Sequence, residues 1–327
     1  MTLDVSVIVV TRNEEKVISR CLESLIAQDF PRDKYEVIIV DGASSDKTCQ
    51  ICERYPVKLI RLNQWGISYQ RNEGVKVAKG KYVAFIDADC IAEKDWLRKL
   101  VDQIEKSDRS VVAVGGPNLV PDDDPPLSKV IGYAQETFLG SGGSPQSYRI
   151  TKSTYVNSIP NCNILYKKQI ISNEKYDETL SIGEDCEFNF RLKQKRYRFL
   201  YLPDIAVWHH RPDSLRGFTK KIFSYGEALG RITRNHKRIV RWYAFVTVFA
   251  VLAVMLCYPI MRFSHLTIYF YAFAAFLYIV ALVISTGQVY QRYRSTKSLM
   301  TMILLPMQHF LYGLGFLKGL LNLGRFK

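Results

Sequence analysis

The sequence predicts an α/β fold, a mostly parallel sheet with flanking helices, followed by C-terminal transmembrane helices. Three observations carry this expectation. Short β-branched runs alternate with helical patterns through the first part of the 327 residues, and such alternation builds a parallel sheet covered on both faces. Charge is divided along the chain: residues 1–213 hold 30 Lys and Arg against 30 Asp and Glu, whereas residues 214–327 hold 15 against the one acid Glu227, which accounts for the whole net charge of +14. That last third also contains three stretches without Lys, Arg, Asp or Glu, at Trp242–Met261, Phe263–Gln291 and Ser298–Leu317. Basic residues flanking long apolar runs point to a membrane rather than to nucleic acid.

The strand candidates are Val5–Val10, Glu36–Val40, Val57–Leu62, Tyr82–Ile86 and Val111–Val114. Glu14–Gln28 reads as a helix because Val17, Ile18, Cys21, Leu22, Leu25 and Ile26 fall on one face. Asp46–Arg54, Ser68–Ala78 and Lys94–Lys106 read as further helices. In sheets of this kind, ligands bind beyond the carboxyl ends of the strands. The early strands end in polar residues: Thr11-Arg12-Asn13-Glu14, then Asp41-Gly42-Ala43-Ser44-Ser45-Asp46, then Asp87-Ala88-Asp89. Asp and Ser are ordinary loop and N-cap residues, and Asp46 fits that role. Asp87 and Asp89, however, follow a buried strand and share one small volume, where two unpartnered carboxylates repel. A divalent cation relieves this, and Mg²⁺ or Mn²⁺ prefers such oxygen ligands.

Seven cysteines are scattered, at 21, 49, 52, 90, 162, 186 and 257. Cys49 and Cys52 form a lone C-x-x-C inside a helix pattern, which reads as structural because a zinc ribbon needs a second pair. The strand-like start at Val5–Val10 is not a secretory signal, so the first 213 residues are expected in a reducing cytoplasm. No G-x-G-x-x-G follows the first strand, which argues against a dehydrogenase, and no P-loop sequence is present. Residues 115–160, rich in Gly, Pro, Ser and Asp, read as turns and mobile loops, a linker or a loop that orders over a ligand.

Four segments together resemble the family 2 glycosyltransferases of the GT-A fold. They are Val5–Glu15, Val40–Thr48, Gln70–Gly74 leading to Ala78-Lys79-Gly80, and Phe85–Asp89, and their order and spacing match over about the first 100 residues. The resemblance implies a sugar–nucleotide donor. Asp41 would hold the base, with Thr11, Arg12 and Glu14 around the nucleoside and Arg71 near the nucleotide. Asp87 would face the ribose or the metal, and Asp89 would ligate Mn²⁺ or Mg²⁺ on the diphosphate. Gly183-Glu184-Asp185 resembles the family's Glu-Asp motif, which implies Asp185 as catalytic base, with Glu184 the other choice. A base of this kind deprotonates an attacking hydroxyl, whereas a phosphate acceptor needs none. His209, or its neighbour His210, would complete the metal shell, as a His in this segment can in the GT-A fold.

Three domains are expected: a GT-A catalytic domain at 1–213, basic amphipathic interfacial helices at 214–241, and a transmembrane region at 242–327. Its spans are about 242–261, 266–285 and 299–321. Leu215, Phe218, Ile222, Tyr225, Leu229 and Ile232 form the apolar face of the interfacial segment. Pro306, Gln308, His309 and Lys318 sit awkwardly in the third span, which reads as a kinked or re-entrant segment. The positive-inside rule puts the catalytic domain of a multi-pass cell-membrane protein in the cytoplasm. The expected activity is an inverting, metal-dependent hexosyltransferase moving a sugar from a UDP- or GDP-linked donor to a lipid-linked acceptor, a polyprenyl-linked sugar. Transfer onto polyprenyl phosphate itself is the alternative. A transporter or channel with a nucleotide-sensing domain is remote, because the spans lack paired intramembrane charges.

Overall fold

The computed structural model describes residues 3–145, 150–236, 242–261 and 265–322. Lys237, Arg238, Arg241, Arg262, Arg325 and Lys327, to which the sequence reading gave basic flanking roles, lie outside the described residues, as does the side chain of Cys257.

In chain order the elements begin with β1 (Val5–Thr11), α1 (Ile18–Ile26), β2 (Tyr35–Gly42), α2 (Thr48–Cys52), β3 (Lys58–Leu62), α3 (Ile67–Val77) and β4 (Tyr82–Asp87). They continue with β5 (Cys90–Ala92), α4 (Trp96–Lys106), β6 (Val111–Gly115), β7 (Asn118–Leu119), α5 (Pro126–Glu136), α6 (Phe138–Ser141), β8 (Thr154–Val156) and β9 (Ile164–Lys167). Last come α7 (Lys168–Asn173), α8 (Glu184–Gln194), β10 (Arg198–Tyr201), β11 (Val207–His209), α9 (Leu215–Asn235), α10 (Trp242–Met261), α11 (His265–Tyr293) and α12 (Thr301–Leu321). The chain divides into two compact units, 1–121 with 149–210, and 122–148 with 211–327.

The first unit is a mixed α/β fold. Its main sheet runs β3-β2-β1-β4-β9-β6-β10-β8. The pairings among β3, β2, β1 and β4 are all parallel, as expected, while β9 is antiparallel to both β4 and β6. Alternate residues of each strand feed opposite faces. Val5, Val7 and Val9 join Ile18, Leu22 and Leu25 of α1 and Trp96, Leu97 and Leu100 of α4 in one core. Ile8, Ile38, Val40 and Phe85 join Val75 of α3 and Phe188 and Leu192 of α8 in the other. Burial on both faces is why these strands read as continuous apolar runs. The chain leaves β1 toward β2 and β3, then crosses back to β4 on the other side of β1. That reversal of strand order opens a crevice at the carboxyl ends of β1 and β4.

Two expectations are corrected here. The first helix begins at Ile18 rather than Glu14, because residues 13–15 are tied to the β2–α2 loop. Glu14 N donates to Thr48 Oγ1 (2.8 Å), Glu15 N to Asp46 Oδ2 (3.1 Å) and Ser45 N to Asn13 Oδ1 (2.8 Å). The stretch 115–160 is not a linker: it contains α5, which starts at Pro126 where a missing N–H costs nothing, and buries Val130, Ile131 and Ala134.

In the second unit α9 lies along α12 on a face of glycines. A Cβ on Gly226 would meet Tyr312 O at 2.2 Å, one on Gly230 Phe316 O at 2.2 Å, one on Gly315 Phe223 O at 2.2 Å and one on Gly319 Glu227 O at 2.0 Å. Only residues without side chains let the two backbones approach this closely. The buried side of α9, with Phe218, Ile222, Leu229 and Ile232, is therefore taken up by helix packing. Among the described residues, two helical stretches are long and apolar enough to cross a membrane, Ile268–Tyr293 and Thr296–Leu321; a further apolar stretch, Trp242–Ala253, adjoins residues whose side chains are not described. Lys318, Gln308 and His309, three of the residues that sit awkwardly in the third span, find partners within the unit. Lys318 Nζ pairs with Glu227 (3.0 Å), Gln308 Nε2 donates to Gly140 O (2.6 Å), and His309 lies 2.9 Å from Leu139 O and 2.7 Å from the Tyr278 hydroxyl.

Candidate active site

The parallel register sets the frame. Thr11 is level with Asp41 on β2, and Val10 with Asp87 on β4, so three strand tips stand side by side. At about 4.8 Å per strand, Asp41 and Asp87 are separated by roughly 10 Å across β1. Asp87 is the last residue of β4 and Asp41 the last but one of β2, so both belong to the strand ladder rather than to a free loop. The crevice beyond them has a volume of about 380 Å³ and is lined by Val10, Thr11, Arg12, Glu14, Trp65, Ile67, Gln70, Asp87, Ala88 and Asp89.

At the β2 end, buried Asp41 accepts hydrogen bonds from Ser44 N (2.9 Å) and from the Ser44 hydroxyl. It closes the loop in which Ala43 takes a left-handed φ of 59°. Asp41 is not among the crevice-lining residues. Gln70 donates from Nε2 to the carbonyls of Thr11 (3.0 Å) and Val40 (2.7 Å), fixing α3 against the strand tips. Thr11 Oγ1 is buried without a hydrogen-bond partner. The guanidinium of Arg12 stacks 5.2 Å from the ring centroid of Trp65, a residue that is 46% exposed and lines the crevice. Trp65 carries no motif signal beyond being an isolated Trp in a polar turn, and the sequence reading passed over it.

Asp87, Asp89 and His209 offer ligand atoms that all lie within 4.8 Å of one another. The antiparallel pair β5–β11 brings this about: it sets His209 opposite Cys90, beside Asp89. His209 Nε2 is 3.2 Å from Asp89 Oδ2. His210 turns away, with Nε2 3.4 Å from Arg20 Nη1. Burial, and then the nearby Cys162 and Asp89, push the Asp87 carboxyl up to about 7 against the opposing pull of Arg71. Two crowded carboxyls beside an imidazole, one of them pushed up in this way, are a donor set that fits Mn²⁺ or Mg²⁺. Two cysteines that looked scattered in the sequence converge just behind it. The sulfurs of Cys162 and Cys90 lie with a His209 ring nitrogen within 4.8 Å of one another, and Cys162 accepts from Asn118 Nδ2 at 3.3 Å.

Arg71, on α3, joins this cluster to α8. It is buried in contact with Asp87 (3.6 Å) and paired with Glu184, with its guanidinium 5.8 Å from the ring centroids of both Phe85 and Tyr176. Burial opposes the charge of Arg71, but Glu184 and Asp87 outweigh it and hold the guanidinium firmly protonated. Glu184 is thus committed to a buried ion pair. Asp185, next to it in the first turn of α8, is half-buried, and its Oδ1 accepts from Cys186 N at 2.6 Å.

The profile of the family "Glycosyl transferase family 2" matches residues 6–172. The chain belongs to that family. A relative of Methanococcus voltae is 28% identical over 334 residues and covers 97% of each chain. It is named dolichyl N-acetyl-alpha-D-glucosaminyl phosphate 3-beta-D-2,3-diacetamido-2,3-dideoxy-beta-D-glucuronosyltransferase. The glycosyltransferase AglE of Haloferax volcanii is 36% identical over 118 residues, which is 34% of this chain and 38% of its own. Among solved structures, the mannosyltransferase PcManGT of Pyrobaculum calidifontis, in complex with GDP-Man and Mn²⁺, superposes with a TM-score of 0.68 at 18% identity. The match covers 99% of this chain and 89% of PcManGT. Residues 1–349 of S. aureus TarS in complex with UDP-GlcNAc give a TM-score of 0.52 at 19% identity, over 97% of this chain and 92% of that one. The fold is GT-A, and this family 2 protein is a glycosyltransferase.

Proposed function

We propose that this glycosyltransferase moves a hexose, with inversion, from a UDP- or GDP-linked donor to a polyprenyl-linked sugar at the cytoplasmic face of a membrane. It does so as a multi-pass protein using Mn²⁺ or Mg²⁺. The observation that carries the reading is the meeting of Asp87, Asp89 and His209 at the edge of a crevice on the strand-order reversal. When bound there, the cation supplies charge to stabilise the departing diphosphate. The chain's own residues do the rest. Asp41 and Thr11 mark the nucleoside end, roughly 10 Å from the cation end, a separation suited to a nucleoside diphosphate laid across β1. Arg12 and Trp65 offer a cationic and aromatic wall to it. Arg71 ties Asp87 to Glu184 and so fixes the cation end relative to the first turn of α8. With Glu184 neutralised by Arg71, Asp185 is the carboxylate left to take the proton from an attacking hydroxyl.

The acceptor class is supported by the Methanococcus relative, which spans nearly the whole chain and whose name specifies a dolichyl phosphate-linked sugar and a beta linkage. From an alpha-linked donor, a beta linkage is inversion. The two long apolar helices give a lipid acceptor a surface along which to arrive, and the basic last third favours the cytoplasmic side.

The test is transfer by detergent-purified chain from a panel of UDP- and GDP-sugars to two acceptors, a polyprenyl-linked sugar and polyprenyl phosphate. Transfer to the lipid-linked sugar in Mn²⁺, absent in EDTA and with inverted anomeric configuration by NMR, is the expected outcome. Transfer to polyprenyl phosphate alone overturns the acceptor assignment.

A further inference from the structure

We propose that Cys90, Cys162 and His209 form a second cation site, selective for a thiophilic ion of the Zn²⁺ class, whose occupancy inhibits the enzyme. All three residues are buried, and their ligand atoms lie within 4.8 Å of one another. For zinc–sulfur and zinc–nitrogen bonds of about 2.3 and 2.0 Å, tetrahedral ligand atoms stand roughly 3.3–3.8 Å apart, so the cluster needs only a small contraction. A fourth donor is adjacent: Asp89 Oδ1 is 3.8 Å from Cys90 Sγ, and Asp89 Oδ2 is 3.2 Å from His209 Nε2. Asn118 Nδ2 donates to Cys162 Sγ at 3.3 Å, a contact that orients the sulfur and supports its thiolate form. Asp89 also lines the crevice, which gives an ion an entry path.

Two thiolates and an imidazole favour Zn²⁺ over Mn²⁺ or Mg²⁺, just as the neighbouring carboxylate set favours the harder ions. On binding, the two thiols release their protons to solvent and no electron is transferred. The two sets share His209 and both touch Asp89. A zinc ion therefore withdraws ligands from the diphosphate cation, and two dications at such close range repel. The competition rests on the proposed role of His209 in the carboxylate set; the existence of the site does not.

The experiment titrates Co²⁺ into full-length detergent-purified Cys49→Ser chain, which removes the C-x-x-C as a rival. A thiolate-to-cobalt charge-transfer band saturating at one equivalent, displaced by Zn²⁺, and lost in Cys90→Ser and Cys162→Ser is expected. A band that survives Cys162→Ser, or no band, overturns the site. Should the serine variants fail to fold by circular dichroism, Zn K-edge absorption on the Cys49→Ser chain decides: a shell with two sulfurs supports the site, and a shell of nitrogen and oxygen alone overturns it. Sugar transfer in Mn²⁺ is then assayed with one equivalent of Zn²⁺. A drop of at least about ten-fold, relieved in Cys162→Ser relative to that variant's own Mn²⁺ rate, supports antagonism. A cobalt band without inhibition retains the site but overturns the antagonism, and with it the role of His209 at the diphosphate cation.

Discussion

Glu184 and Asp185 are neighbours with the same chemistry and opposite surroundings. The first is buried against Arg71; the second is half-buried with one oxygen held by Cys186 N. Replacing either separates their roles. Asp185→Asn is expected to lower kcat by about 10²–10⁴-fold, the usual worth of a general base, while the thermal midpoint and the donor affinity stay unchanged. Glu184→Gln is expected to lower stability by about 3–5 kcal/mol, because it leaves a buried guanidinium under-compensated; denaturant unfolding measures this. Full activity in Asp185→Asn contradicts its assignment. A second residue-scale expectation concerns pH. Without a cation, Asp87 titrates near 7 in the folded chain, above its unfolded value of about 3.9. Its contribution to stability is therefore present at low pH and lost as pH rises toward and through 7, while Mn²⁺ affinity rises over the same interval because the ligand must be deprotonated. Thermal melts in EDTA and in Mn²⁺ between pH 5 and 8 check both signs, and Asp87→Asn is expected to flatten the difference.

At the scale of elements, the α9–α12 pair explains features that made the third apolar segment look ambiguous. Glu227, the one acid after residue 213, pairs with Lys318 and also with Arg231 at 2.9 Å. The charge in the apolar segment is thereby neutralised by a helix whose backbone the glycines admit. Gly315→Leu is expected to push the helices apart and cost at least about 1–3 kcal/mol, the range for overpacking, read as a lower thermal midpoint in detergent; an unchanged midpoint contradicts the close approach. The same comparison shows what was legible beforehand. The strands of the parallel half were readable because two-sided burial writes uninterrupted β-branched runs. The tips bearing Thr11, Asp41, Asp87 and Asp89 were readable because polar residues end those runs. Cys162 and Trp65 were not, since their relation to the crevice depends on strand pairing and loop path, which leave no local pattern. The helix α5 was hidden because its flanking prolines and acids resemble a linker, and the glycines of α9 and α12 reveal themselves only as a packed pair.

At the scale of the molecule, the chain joins a GT-A unit to a second unit of long helices, among whose described residues two stretches have the length and apolarity to cross a membrane. The net charge of +14 arises wholly in the last third, and the proposed membrane association would set it against anionic lipid. Binding to vesicles should accordingly strengthen with anionic lipid and weaken with salt, over the range in which the Debye length falls from about 10 to 3 Å; salt-independent binding contradicts an electrostatic component. The central claim is that acids from neighbouring strand tips and His209 hold the cation on which donor binding depends. Calorimetric titration of the UDP- or GDP-sugar that is turned over, into wild-type and Asp89→Asn chains, with Mn²⁺ or with EDTA, tests it most directly. The account expects tight binding only for wild type in Mn²⁺, weakened at least about 100-fold, or 2.7 kcal/mol, in EDTA or in Asp89→Asn. Equal affinity in all four titrations contradicts it.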